Sequence, residues 1–239
     1  MASDSSSALS MKTYKKLSQV ENLLYEDEYS KAQSQLDKLL RDLSELSPAD
    51  TAYTYHMQAL LYFYQQNYTS ARKYFLKSYQ VKDDGQPGLN NKTRLQVVEM
   101  LANLALQDED YLRAIKFSQE YLQMAEKPSK SGYLILASAY YQTADYEKAI
   151  EPLEQVNKLF KPDRSVHSTL FAIYYQLERL PEATLIAEEM IRYWPEKAEY
   201  WLQLASLYLE QDKYMESLEV MQLSSIQGFI NHQDEFMQY

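Results

Sequence analysis

LASAYYQTADYEKA (Leu136–Ala149), LFAIYYQLERLPEA (Leu170–Ala183) and LASLYLEQDKYMES (Leu204–Ser217) are three copies of one pattern. Leu136/Leu170/Leu204, Tyr140/Tyr174/Tyr208 and Ala149/Ala183/Ser217 each recur at a spacing of 34 residues. Three columns sharing one period mark a repeat that buries its apolar face only by stacking on its neighbours. In each copy, apolar residues at helical spacing flank a short polar break, so the unit is a pair of helices.

The sharpest marker, an aromatic residue or Leu followed three positions later by a small residue, extends the array toward the N-terminus. It occurs at Tyr29/Ala32, Tyr68/Ala71, Tyr111/Ala114, Tyr146/Ala149, Leu180/Ala183 and Tyr214/Ser217. The small residues are separated by 39, 43, 35, 34 and 34 positions, so the last units are regular and the earlier ones carry insertions. The pattern predicts helices over 13–26, 29–45, 49–66, 69–83, 91–108, 111–126, 130–143, 146–160, 164–178, 181–193, 197–211 and 214–227. Each marker opens the second helix of a pair, with Glu28, Asn67, Asp110, Asp145 and Lys213 at the expected caps. The small residue marks a close helix crossing. A matching slot on the first helices holds Val20, Ala59, Ala102, Ala137, Phe171 and Ala205, and Phe171 predicts a locally wider contact.

Pro48, Pro128, Pro162 and Pro195 fall between predicted helices, and Pro181 in a first turn, where a missing amide costs little. Pro152 lies well inside a helix and predicts a bend. Asp83–Asn91 holds two of the four glycines and reads as an exposed loop, a tolerated surface insertion.

A period of 34 with this helix–turn–helix pattern resembles the tetratricopeptide repeat. The expected fold is all-α, a right-handed α-solenoid of about six tetratricopeptide-type helix hairpins over 13–227. Residues 1–12 read as a disordered lead or cloning remnant, and 228–239 as a tail or the start of a further repeat. Phe229, Ile230, Phe236, Met237 and Tyr239 make that tail apolar, predicting a capping helix or self-association through the solenoid end.

In this architecture the first helix of each pair lines an inner, concave wall. Counting along that face gives Tyr14, Leu17, Glu21 and Tyr25 in unit one and Gln96 and Glu99 in unit three, and the candidate partner-binding residues of units two and three are Tyr53, His56, Leu60, Tyr64, Asn103 and Gln107. Units four and five add Ser138, Tyr141, Gln142, Tyr175 and Gln176, and unit six offers Glu199, Leu202, Ser206 and Glu210. The wall carries no Lys or Arg. Some repeat proteins grip a peptide's terminal carboxylate with Lys and Asn on these faces; here only Asn103 stands in such a slot. The expected partner is therefore a protein or peptide segment that is uncharged or basic. Most of the 23 tyrosines repeat with the helices and read as framework, their hydroxyls reaching polar edges.

Composition narrows the function further. A net charge of −10 disfavours nucleic acid, and no apolar run is long enough to span a bilayer. The absence of cysteine excludes disulfides and thiolate zinc sites. His56, His167 and His232 lie in different units, and no His-Glu-x-x-His helix occurs, so no catalytic metal is expected. The four glycines form no phosphate-cradling loop, and Glu188/Glu189 and Asp83/Asp84 read as solubilising charge. The expectation is a chain without enzymatic activity and without cofactor.

A narrower resemblance lies in ASAYYQTADYEKAIEPLEQ (Ala137–Gln155), Leu170–Ala183 and YWLQLASLYLEQDKY (Tyr200–Tyr214). With Leu223–Ile230, these are similar to gammaproteobacterial repeat proteins described as components of the TonB energy-transduction system. The resemblance implies a periplasmic scaffold near the inner-membrane motor that powers outer-membrane receptors, although Met1–Ser7 has no signal-peptide pattern. A cytoplasmic location is the alternative. The competing functions are an assembly factor for a pilus or secretion system and a peptide-binding regulatory sensor.

Overall fold

A computed structural model describes residues 8–229. The sequence-based readings of residues 1–7 and of Ile230–Tyr239, including Phe236, Met237 and Tyr239, lie outside those residues. Among the described residues the chain is all-α: twelve α-helices follow one another as hairpins. They are α1 Met11–Tyr25, α2 Tyr29–Arg41, α3 Pro48–Tyr64, α4 Tyr68–Gln80, α5 Asn91–Gln107 and α6 Tyr111–Met124. Then come α7 Lys130–Gln142, α8 Tyr146–Leu159, α9 Arg164–Gln176, α10 Leu180–Tyr193, α11 Ala198–Glu210 and α12 Tyr214–Ile226. All twelve predicted helices are present, in the predicted pairs. The chain divides between Ala139 and Tyr140, within α7, into two compact units.

One unusual turn joins the two helices of every pair. Asp27, Gln66, Glu109, Ala144, Glu178 and Asp212 all have φ between 56° and 59°. In the first pair, Glu28 N–H donates to Leu23 C=O at 2.8 Å and Asp27 N–H to Leu24 C=O at 3.3 Å. The same crossed bonds recur in the other five, as in Asn67 to Tyr62 and Lys213 to Tyr208. This arrangement satisfies the orphan carbonyls of the first helix while the chain reverses, and glycine is its usual left-handed residue. Here none of the six is glycine.

The predicted caps are only partly realised. Of the predicted second-helix caps, Asn67 accepts from Ser70 N–H and Asp110 from Arg113 N–H, but Glu28, Asp145 and Lys213 make no side-chain cap bond. Side-chain caps also open four first helices, at Ser10, Ser47, Asn90 and Asp163, but not α11, which follows Lys197.

The N-terminal unit has its core between successive hairpins. Leu17, Val20, Leu24, Ala32, Leu36 and Leu61 form one cluster, and Phe75, Val97, Val98, Leu101 and Leu104 anchor the next. Asp50 is buried and accepts from Ser10 N–H at 2.8 Å, tying the start of α1 to α3. The residues read as an exposed loop are exposed at Asp84–Gln86 and at Asn90 and Asn91, but they are more ordered and more anchored than a free loop. Lys82–Asp83 and Gln86–Pro87 form a two-residue antiparallel ladder, β1 and β2. Asp84 and Gly85 between them have φ of 46° and 83°, as a tight Asp-Gly hairpin turn requires. The following Leu89 is buried in the core with Val97 and Val98. The ladder also ends α4 at Gln80, three residues before its predicted limit, just as α2 ends at Arg41 and gives way to a 3-10 turn at Leu43–Glu45.

In the C-terminal unit, Ala149, Ala183 and Ala187 are completely buried, and Ser217 is buried with its hydroxyl donating to Ala205 C=O at 3.0 Å. The tyrosine column is framework. Tyr174 donates to Glu154 and Tyr208 to Glu188, each at 2.7 Å, so the carboxylate acceptors repeat with the tyrosines. Burial and that neighbouring carboxylate push the Tyr208 hydroxyl up to about 12. His167 is buried among Tyr193 and Trp194 with its Nδ1 2.9 Å from Asp163 C=O. Trp201 donates to Pro195 C=O at 2.7 Å and stacks on Phe229. Helix α8 runs on past Pro152, whose ring is buried. Among the described residues no helix is long and apolar enough to cross a membrane, and no three His, Cys, Asp or Glu residues gather as a metal site.

Candidate functional site

Helix α9 is capped by Asp163, whose carboxylate accepts from the Ser165 and Val166 amides. Its buried stripe is Val166, Leu170, Ile173 and Tyr174. Phe171 and Tyr175 lie off that stripe and one turn apart, with their rings stacked at 9° and 6.2 Å between centroids. Helix α11 buries Trp201, Leu204, Ala205 and Leu207. Leu202, Ser206 and Glu210 fall four apart and share another face.

Between these helices lies a cavity of about 280 Å³. Phe171 and Tyr175 form one side; Leu202, Ser206, Leu207 and Glu210 form the other. Gln203 also lines it, and its Oε1 is buried without a hydrogen-bond donor. Tyr175 and Glu210 also line a second, wider depression of about 520 Å³ with Gln176, Glu178 and Leu180, which forms the mouth of the site. The floor is apolar, the mouth carries two carboxylates, and no Lys or Arg lines either space.

Glu210 accepts the Tyr175 hydroxyl at 2.9 Å, and this bond to the carboxylate raises the pKa of Tyr175. No ion pair joins Glu210 or Glu178 to a cation among the described residues. Other carboxylates are engaged. Glu120 takes both Arg94 and the Tyr79 hydroxyl, Asp108 takes Arg72, and Glu182 takes Arg179.

The sequence-derived candidates fare unequally. In the C-terminal unit, Tyr175 and Gln176 stand at the cavity and its mouth. Tyr141 is 40% exposed and meets Tyr146 edge-on, beside exposed Gln142. In the N-terminal unit, Tyr64, Gln107 and Ser138 are exposed and Asn103 is half-buried. Three others are tied into packing. Leu60 packs against the core clusters. The Tyr53 hydroxyl takes donors from the Asn90 amide and Thr93 Oγ1, both at 3.4 Å. The His56 ring lies 6.0 Å from Phe75, and burial pushes its pKa down to about 4. Phe171 was expected only to widen a helix contact; its ring is half-buried and walls the cavity. Gln203 and Leu207 escape face counting because they sit one position off the Leu202/Ser206/Glu210 stripe.

Two stretches of the chain, residues 52–84 and 131–161, match the family model of the tetratricopeptide repeat. No curated protein sequence matches the chain. Solved structures do. A structure of MamA is 14% identical with a TM-score of 0.56, covering 73% of this chain and 90% of that one. YrrB, described as a TPR protein with an unusual peptide-binding site, is 13% identical with a TM-score of 0.56, covering 78% of this chain and 90% of its own. A tetratricopeptide repeat protein from Parabacteroides merdae is 12% identical with a TM-score of 0.56 over 89% of this chain and 78% of that one. At these identities the likeness establishes the fold: an all-α solenoid type built from tetratricopeptide-type hairpins. Such repeats are generally interaction modules without catalysis.

Proposed function

We propose that this chain is a non-catalytic scaffold that binds a protein or peptide segment, with the α9/α11 groove as its principal contact. The observation that carries this reading is the groove itself: an apolar floor, stacked aromatic rings on one side, and carboxylates without cations at the mouth. That is an arrangement for gripping a segment, with anchors in a concave apolar site and a few polar groups fixing orientation. YrrB, with its peptide-binding site, adds support by analogy of fold.

The resemblance of Ala137–Gln155, Leu170–Ala183 and Tyr200–Tyr214 to TonB-system repeat proteins supports a finer reading. In it the scaffold serves periplasmic energy transduction for outer-membrane uptake. Affinity isolation of the tagged chain from a native envelope tests it. Recovery of inner-membrane motor proteins, reduced by Phe171→Ala with Tyr175→Ala, is the expected result. Recovery of pilus or secretion components instead would favour the assembly-factor reading. Fractionation of the tagged protein decides between periplasm and cytoplasm.

Self-association is the second expected contact. On α12, Met215, Leu218, Leu223 and Ile226 are each at least half exposed. Leu218→Glu with Ile226→Glu should lower the weight-average mass seen by sedimentation at high concentration.

A further inference from the structure

Taking the scaffold reading as its basis, we propose that the α9/α11 groove selects an extended segment carrying an arginine next to apolar side chains. Three features of the site converge on that chemistry. The mouth holds Glu178 and Glu210 without a cation, and the chain carries a net charge of −10. Glu210 is already oriented, because Tyr175 donates to one carboxylate oxygen. A guanidinium docking on that carboxylate makes charge-assisted bonds and lays its plane near the Phe171/Tyr175 stack, which a compact ammonium does less well.

The second feature is the apolar floor. Phe171, Leu202 and Leu207 offer a recess of about 280 Å³, room for an aliphatic side chain flanking the arginine. The third is Gln203. Its buried Oε1 lacks a donor and carries a desolvation cost, which an incoming N–H removes once the half-buried side chain turns toward the groove. Gln203 and Glu210 are seven residues apart on α11, two turns or about 10 Å along the axis. Extended chain advances about 3.3 Å per residue, so that distance spans three residues of a bound strand. With the arginine at Glu210, the backbone N–H three residues away meets Gln203.

The test uses two fluorescein-labelled peptides, Gly-Ser-Leu-Arg-Leu-Ser-Gly and the same chain with citrulline for arginine, titrated against the full chain by fluorescence anisotropy. Citrulline keeps the shape and removes the charge. The arginine peptide should bind about tenfold tighter, a difference that added salt erodes. Glu210→Gln should abolish the preference by weakening the arginine peptide alone. Gln203→Met should weaken both peptides alike, because each presents the same backbone. Ser206→Trp, which fills the recess, should block both, with circular dichroism confirming the fold of every variant. Equal binding of the two peptides, an unchanged preference in Glu210→Gln, or no peptide binding by wild type overturns the inference. In each of those cases, capture of envelope partners by wild-type chain leaves the scaffold reading standing. Failure of that capture strikes the scaffold reading itself.

Discussion

At the scale of single residues, the turns hold the most accessible stability. A left-handed backbone costs a non-glycine residue about 1 kcal/mol, and the chain accepts that cost at six equivalent positions. Ala144 is exposed and makes no side-chain bond that glycine would lose. Ala144→Gly should therefore raise the unfolding free energy by about 1 kcal/mol in urea titrations. Gly132 is the converse. A Cβ there would sit 2.3 Å from Tyr121 Cε1, and the ring cannot swing away freely because its hydroxyl accepts from Ser129 N–H at 3.0 Å. Gly132→Ala should cost on the order of 2 kcal/mol. His56 sets a pH dependence. Its pKa is about 4 in the folded chain against an ordinary 6.5, so the unfolded chain binds the proton first on acidification. The packing of the neutral ring is fully available above pH 6.5, and stability falls as the pH drops toward 4. Unfolding free energies from urea titrations at pH 7 and 5 should differ more for wild type than for His56→Gln, by on the order of 1–2 kcal/mol.

At the scale of elements, the helices were legible because the crossing points tolerate only small side chains. Ala32, Ala71, Ala114, Ala149 and Ala183 are each wholly buried where the period places them. Ala183→Leu should overpack its crossing and cost about 1–3 kcal/mol, measured by thermal or urea unfolding. The caps were less legible. Sequence shows which residue can cap but not whether its side chain reaches a first-turn amide: Asp110 does, and Asp145 at the equivalent position does not. The insertion at Asp83–Asn91 is exposed at its tip but only partly legible, because its polar, glycine-containing run hides two facts. Asp84-Gly85 is a hairpin turn signal, and Leu89 follows it into the core. Leu89→Ala should cost about 2–4 kcal/mol, far more than a free surface loop would lose.

At the scale of the whole chain, the period of 34 residues reported the architecture, while the groove emerged only from how neighbouring hairpins meet. Counting faces located Tyr175, Leu202, Ser206 and Glu210, because a helix exposes one stripe in a fixed order. It missed Phe171, which the repeat assigns to a helix crossing, and Gln203, whose partial burial depends on the adjacent helix. The tryptophans supply one more consequence of the layout. Both lie after the division within α7: Trp194 touches His167 and Tyr200, and Trp201 is held by Pro195 and Phe229. Residues before that division contain no indole. Selectively excited indole emission is thus a built-in reporter of the C-terminal unit, whereas helical ellipticity reads both. Following the two signals through one denaturant titration reveals, without any label, whether the halves melt in concert or in sequence.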